Sequence, residues 1–312
     1  MAAVAELQAE GLLTVEEESF AKVVWRRFRK HKLAVASMIV LIIIILACAF
    51  APFVAPYDPL MLNKDSAGAI LRNSPPSWQH IMGTDSIGRD VFSRLLYAGR
   101  ISLMIAFVVI IFSETIGALI GAISGYFGGW IDDAIQRFTE FMITIPLLPL
   151  LLAFSALLRG IKVPGLPDEY NSVFIISLIL IVFGWMGSTR LVRGMVLSLR
   201  NQEFTEAARA LGASNFMIII RHMIPNALAP VIVSATLNLG GVIIYESALS
   251  FLGFGIQPPI PTWGNMLAEY QNDMWTQPAK VFYPGLAIFV VNLAFNYIGD
   301  GLRDALDPRL KQ

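Results

Sequence analysis

The sequence predicts an all-α, polytopic membrane protein with six transmembrane helices, on three observations. Hydrophobic residues make up 56% of the 312 positions and charged residues only 15%, against about 25% charged in soluble domains. The mean hydropathy is +0.64. The apolar residues gather into six runs, each close to the roughly 20 residues needed to cross a bilayer.

The runs are Leu33 to Val54, Ile101 to Tyr126, Phe141 to Leu158, Val173 to about Leu199, Ala227 to Phe254 and Phe282 to about Ile298. Only Glu114 and Glu246 place a charge inside the second and fifth. A buried ionisable group at such depth must face a partner or a wet cavity, so Glu246 is a candidate to line a path across the membrane. Plain burial in the bundle is the competing reading for both glutamates. Gly117, Gly121 and Gly125 recur every four residues along the second run, a spacing that lets helices approach closely. Pro146 and Pro149 interrupt the third.

Six crossings put both termini on one side. With the N-terminus inside, 15 of the 23 Lys and Arg fall on inner segments and 8 on outer ones, so the positive-inside rule makes both termini cytoplasmic. Residues 1–32 combine an acidic head with a basic amphipathic piece in which Phe20, Val24 and Phe28 recur at helical spacing, the pattern of an interfacial helix. Residues 33–96 hold the first span and an outer segment, and 97–312 the remaining core. In the outer segment Gly83, Gly88, Asp85, Arg89 and Asp90 suit a tight, hydrogen-bonded turn. Farther on, "PPIPTW" makes a stiff outer connection containing Trp263. Contact of Asp85, Arg89, Asp90 and Trp263 with an extracytoplasmic protein is the functional alternative to these structural roles.

Enzyme chemistry finds no support. There is no HExxH, GxSxG or GxxxxGK[ST] motif. His31, His80 and His222 are too scattered for a local metal site, and the single cysteine, Cys48, excludes an intramolecular disulfide. The 23 basic and 23 acidic residues balance, so no overall field points to nucleic acid.

Between the fourth and fifth runs, hence on the inner side, lies "EFTEAARALGASNFMIIIRHMIPN". Phe204, Ala208 and Leu211 share one helical face, Gly212 suits a left-handed C-terminal position, Ser214 or Asn215 can cap the next turn, and Pro225 is expected to end it. The expected product is a helix–turn–helix at 201–226, with alanines small enough for a second protein to come close.

Glu206, Ala207, Ala208, Gly212 and, thirteen positions on, Pro225 resemble the EAA loop of bacterial ABC importer permeases. His222 and Ile224 depart mildly from the usual Ile and Leu. "FAPFVAPYDP", "MGTDSIGRDVFSRLLYAGRISL", "GYFGGWIDDAIQR", "LSFLGFGIQPPIPTWGNML" and "GDGLRDALDPRLKQ" resemble the C-type permease of dipeptide, oligopeptide and nickel importers. Together these matches cover most of residues 30–312.

The resemblance implies a type I ABC importer permease fold in a bacterial or archaeal inner membrane. It also implies a non-catalytic subunit that works with a second homologous permease, two cytoplasmic ATPases and an extracytoplasmic binding protein. ATP and Mg²⁺ would be used by the ATPases and no cofactor bound by this chain. Peptides are the expected cargo, with nickel or another small solute as the alternative. A gradient-driven secondary transporter, or a channel or scaffold, would instead act without ATPases.

Overall fold

The computed structural model describes residues 19–307. The acidic head of the N-terminal tail and the last five residues lie outside them. Helices α1 (Phe20–Phe28), α2 (Lys32–Ala49) and α3 (Ala51–Val54) lead into an outer segment and then α4 (Val91–Phe127). Next come α5 (Gly129–Thr144), α6 (Leu147–Leu157), α7 (Asn171–Gly184) and α8 (Met186–Leu199). The inner loop forms α9 (Glu203–Ala210) and α10 (Asn215–Ile218). The chain closes with α11 (Ile224–Phe251), α12 (Trp263–Tyr270) and α13 (Pro278–Leu306). Among the described residues, pairing outside helices is limited to two isolated antiparallel bridges in the outer segment.

Among the described residues, five helical stretches are long and apolar enough to cross a membrane, and α5 with α6 supplies a sixth as a bent pair. The interruption expected in the third run takes the form of a sharp bend, with α5 and α6 meeting at 87°. Pro146 is the cause: it lacks an N–H and pushes the preceding residue out of helical geometry, and Ile145 duly adopts φ −79°, ψ 127°. The second span is also longer than its apolar run. Its 37 residues begin at Val91, ten positions before Ile101, with the Asp90 side chain capping the Ser93 amide. The first turns of α4 thus rise above the hydrocarbon and become the floor of the outer segment.

Helix α4 is the hub. Gly117, Gly121 and Gly125 all face α8, and a Cβ at Gly117 would lie 2.5 Å from the Trp185 carbonyl oxygen and one at Gly125 2.9 Å from that of Arg193. Because the backbones approach this closely, side-chain hydroxyls bridge them. Thr189 Oγ1 donates to the Gly117 carbonyl at 3.1 Å and Ser188 Oγ to that of Glu114 at 3.3 Å. Three apolar clusters line the hub. One joins α2, α4, α11, α12 and α13, a second joins α4 to α6, α7 and α11, and a third fills the inner end around Tyr126, Val192, Ile218 and Met223.

The N-terminal piece is helical as its periodicity predicts. Phe28 is buried against Ala34 of α2 and Ala305 of α13, with Val24 packed beside them, so this part of the apolar face is covered by protein. By contrast α2 buries few residues, chiefly Ala34, Leu41 and Cys48, and leaves the rest of its surface apolar and exposed.

Candidate functional site

The inner loop is built on a helix that stops at a glycine. At the end of α9 the Ala213 amide donates to the Ala208 carbonyl (3.0 Å) and the Gly212 amide to that of Arg209 (2.9 Å), the paired bonds of a Schellman motif. The motif needs a left-handed residue after the C-cap, and Gly212 has φ +82°. Ser214 then accepts from the Met217 amide and starts α10.

The loop is fastened to the bundle through Thr205 and Tyr126. Thr205, fully buried, donates to the Leu199 carbonyl at 2.9 Å. Tyr126, at the end of α4, donates to Asn215 Oδ1 (2.9 Å), accepts from Arg209 Nε (3.3 Å), and lies under the Arg209 guanidinium at 5.2 Å. Beneath them Asp132 of α5 and Arg193 of α8 form a two-pronged ion pair with both contacts at 2.6 Å, which joins the starts of the inner loops to the hub.

Two details refine the sequence reading. Leu211, on the face it shares with Phe204 and Ala208, is 89% exposed, and the residues that pack are Thr205 with half-buried Ala208 and Ala213. Pro225 does not end the second helix. A five-residue π-helical stretch at Ile219–Met223 carries α10 into α11, and Pro225 sits in the first turn of α11. The wider π turn accommodates a residue that has no N–H and whose ring clashes with an upstream carbonyl. The loop and the fifth span are therefore one helical rod from Asn215 to Phe251. Glu206 and Ala207 stand exposed on α9, and among the described residues no hydrogen bond or ion pair engages the Glu206 carboxylate.

At the opposite end, Asp85, Arg89 and Asp90 are joined by residues that no local motif exposes. Asp85 Oδ1 accepts the amides of Ile87 and Arg89 (3.0 and 2.9 Å), and Oδ2 accepts from Arg89 Nε (2.6 Å) and Arg94 (2.8 Å). Both arginines also reach Glu269 of α12, at 2.7 and 2.6 Å. Burial pushes the Asp85 carboxyl up, but the Arg89 amide and the two guanidinium groups outweigh it and hold the group below the usual carboxylate range. Burial raises the Tyr270 phenol above its ordinary value. Asp90 accepts from the Ser93 amide (2.8 Å) and pairs with His80 (2.9 Å), which stacks on Tyr57.

Trp263, 1% exposed, donates Nε1–H to the Leu95 carbonyl at 3.1 Å and lies so close to Gly99 that a Cβ there would be 2.6 Å from the indole. The side chains of Asp85, Asp90 and Trp263 are thus enclosed within the outer cap of this chain, while Arg89 remains partly exposed.

Glu246 is likewise enclosed at 1% exposure. Ser250 donates to Oε1 at 2.8 Å, while Ser102 and Ser247 donate to Oε2 at 3.3 and 3.4 Å. Ser102 also accepts the Trp263 amide, so the glutamate ties spans two and five to α12. Glu246 lines neither of two cavities found among the described residues of the bundle. One of about 640 Å³ is bounded by α8, α11 and Arg303, Leu306 and Asp307 at the inner end of α13. Another of about 340 Å³ lies between α4, α5, α6, α7, α8 and α11. Asn238 and Gly187 line both.

Comparison with known proteins agrees with this architecture. Residues 117–312 match the family model described as binding-protein-dependent transport system inner membrane component. Residues 19–76 match that of the N-terminal transmembrane domain of oligopeptide transport permease C. The dipeptide transport system permease protein DppC of Alkalihalophilus pseudofirmus is 40% identical over 288 residues, 92% of this chain and 89% of that one. The glutathione transport system permease protein GsiD of Escherichia coli O6:K15:H31 is 39% identical over 288 residues, 92% of this chain and 90% of its own. In fold, a solved inward-facing structure of the MetNI methionine ABC transporter aligns with a TM-score of 0.50 at 20% identity, covering 69% of this chain and 98% of that one.

Proposed function

The chain belongs to the binding-protein-dependent transport system inner membrane component family, and from that premise we propose that it is the permease subunit of an ATP-driven importer of short peptides. The names of relatives about 40% identical along nine-tenths of the chain support peptide as cargo. The chain's own part is to form one half of a gated path and to carry movement from an ATPase into it. The ATPases supply the chemistry of ATP and Mg²⁺, and nothing in this chain is asked to.

The observation that carries the coupling role is the continuous helix from Asn215 to Phe251. A push on α9 passes through the Gly212 turn and the Tyr126–Asn215–Arg209 contacts into the rod that forms span five and lines both cavities. Moving a gate from 1:99 to 99:1 requires about 5.5 kcal/mol of differential binding, which a rigid rod transmits and a slack loop does not. Glu206 and Ala207 present the surface for an ATPase groove, with exposed Leu211 as an apolar anchor beside them, while Ala208 packs the helix against the bundle. Gly212 sets the turn, and Pro225 lies where the loop passes into the span. On this reading a second permease, two ATPases and a binding protein complete the complex in the inner membrane, with the N-terminus cytoplasmic. Asp85, Arg89, Asp90 and Trp263 hold the shape of the cap that the binding protein meets.

A cysteine at Ala207, with partner cysteines in the ATPase groove, tests the assignment. Disulfide capture that depends on nucleotide state is expected. Capture of no ATPase from an intact complex would refute it.

A further inference from the structure

Spans two and five each carry one buried glutamate, and their surroundings differ. Glu246 has donors on both oxygens. Glu114 is 5% exposed; its Oε1 accepts from Asn238 Nδ2 at 3.0 Å and Ser234 Oγ at 3.4 Å, but Oε2 is buried with no hydrogen-bond donor. No cation pairs with Glu114 among the described residues. A carboxylate at membrane depth is retained where it faces its own partner or a wet path, and here half of that partnership is missing.

Its neighbour indicates where the path runs. Asn238 lies midway along α11, is exposed on the surface of this chain, and lines both the inner cavity and the mid-bundle cavity. An amide exposed at that depth points to water or protein rather than to lipid. Ser234 lies one turn toward the cytoplasm and borders the inner cavity as well. The Glu114 carboxyl, itself buried and lining neither cavity, is thus held through Oε1 by one residue shared by both cavities, Asn238, and one of the inner cavity, Ser234.

We propose that Glu114, held by Asn238 and Ser234, is the station at which the permease receives the α-ammonium group of a peptide in transit. The proposal rests on the peptide-import reading and deepens it. A primary ammonium offers three N–H donors and a unit charge, which match the unpartnered Glu114 Oε2 and the acceptor oxygens of Asn238 and Ser234. The amino terminus is also the group that peptides share whatever their side chains, so a single carboxylate can serve a mixed cargo. Placed between an inner and a middle cavity, the station holds the peptide only until the inner cavity opens.

The test uses the complete complex in proteoliposomes, with binding protein and peptide saturating, and two probes: a free-amine dipeptide and its N-acetyl derivative. Glu114→Gln is expected to lower maximal uptake of the free-amine peptide about tenfold while peptide-stimulated ATP hydrolysis and uptake of the acetylated peptide stay within twofold. Glu114→Asp should retain the free-amine uptake better than Gln does. Equal effects on both peptides, or no effect on either, overturn the proposal. Should Glu114→Gln fail to assemble, Asn238→Lys, which supplies an internal ammonium from an exposed position, is expected to cause the same selective loss, and an unchanged preference overturns the proposal. A cysteine at 238 should react with a membrane-impermeant maleimide and be protected at least threefold by the free peptide; no labelling overturns it. If the wild-type complex carries neither peptide, the peptide reading itself falls and the proposal with it, whereas wild-type uptake with an indifferent Glu114→Gln removes the station alone.

Discussion

Replacing Gly212 by alanine isolates the turn on which the proposed coupling depends. The position has φ +82°, and a Cβ there meets no atom within 4 Å, so the substitution adds backbone strain without a clash. A left-handed conformation costs a non-glycine residue about 1–2 kcal/mol. That amounts to roughly a 5–30-fold loss in the population of the native turn relative to its unwound form. Unwinding releases the Ala213–Ala208 and Gly212–Arg209 hydrogen bonds and lets α9 swing free of α10.

Amide hydrogen exchange at 212 and 213 should therefore accelerate by about that factor, and peptide-stimulated ATP hydrolysis by the reconstituted complex should fall with it. Gly212→Asn is the control, because asparagine visits the left-handed region more readily, and it should lie between wild type and alanine. An alanine variant with wild-type exchange and full stimulation, or an asparagine variant as damaged as alanine, would refute the reasoning.

Three further outcomes are expected. Asp85→Asn removes one of the two carboxylates that hold Arg94, whose side chain is 1% exposed, while Glu269 still pairs with it, so the cost should fall below the roughly 3–5 kcal/mol of a fully broken buried pair; a drop in the complex's Tm near pH 7 checks it. Because the folded-state pKa of Asp85 is depressed, its stabilisation is complete above the unfolded value of about 3.9 and is lost as pH falls through the lower folded value. Wild-type Tm should fall more steeply than that of Asp85→Asn below about pH 4. Gly121→Val drives a side chain into the Thr189 backbone, and overpacking of about 1–3 kcal/mol or more should reduce the yield of assembled complex, measured by co-purification. Glu246→Gln keeps a group that the three serine hydroxyls can serve, so uptake of charged and neutral peptides should match wild type; a defect confined to one charge class would return Glu246 to the pathway.

The spans were legible because hydropathy and the bilayer's thickness are local constraints, and six runs became five helices and one bent pair. Pro146 announced a break, but the 87° angle depends on how α6 packs against α7, which no local pattern encodes. The glycine stripe of span two was legible, though not its partner helix. In the inner loop the Schellman turn followed from Gly212, while the exposure of Leu211 did not follow from the residues. Periodicity tells which residues share a face, and the packing of the loop decides which of them are covered. Pro225 misled: as a helix breaker it also fits a first turn, and a preceding π stretch could not be foreseen from the residues. The pairs Arg94–Glu269 and Asp132–Arg193 join residues far apart in the chain. Their single-residue signals, charges near span ends, are indistinguishable in sequence from solvated ones.

ATP-driven uptake measured in proteoliposomes bears most directly on the central claim. The account predicts that labelled dipeptide accumulates only when this chain is present with its second permease, both ATPases, the binding protein and ATP. Accumulation driven by an ion gradient across vesicles containing this chain alone would contradict it.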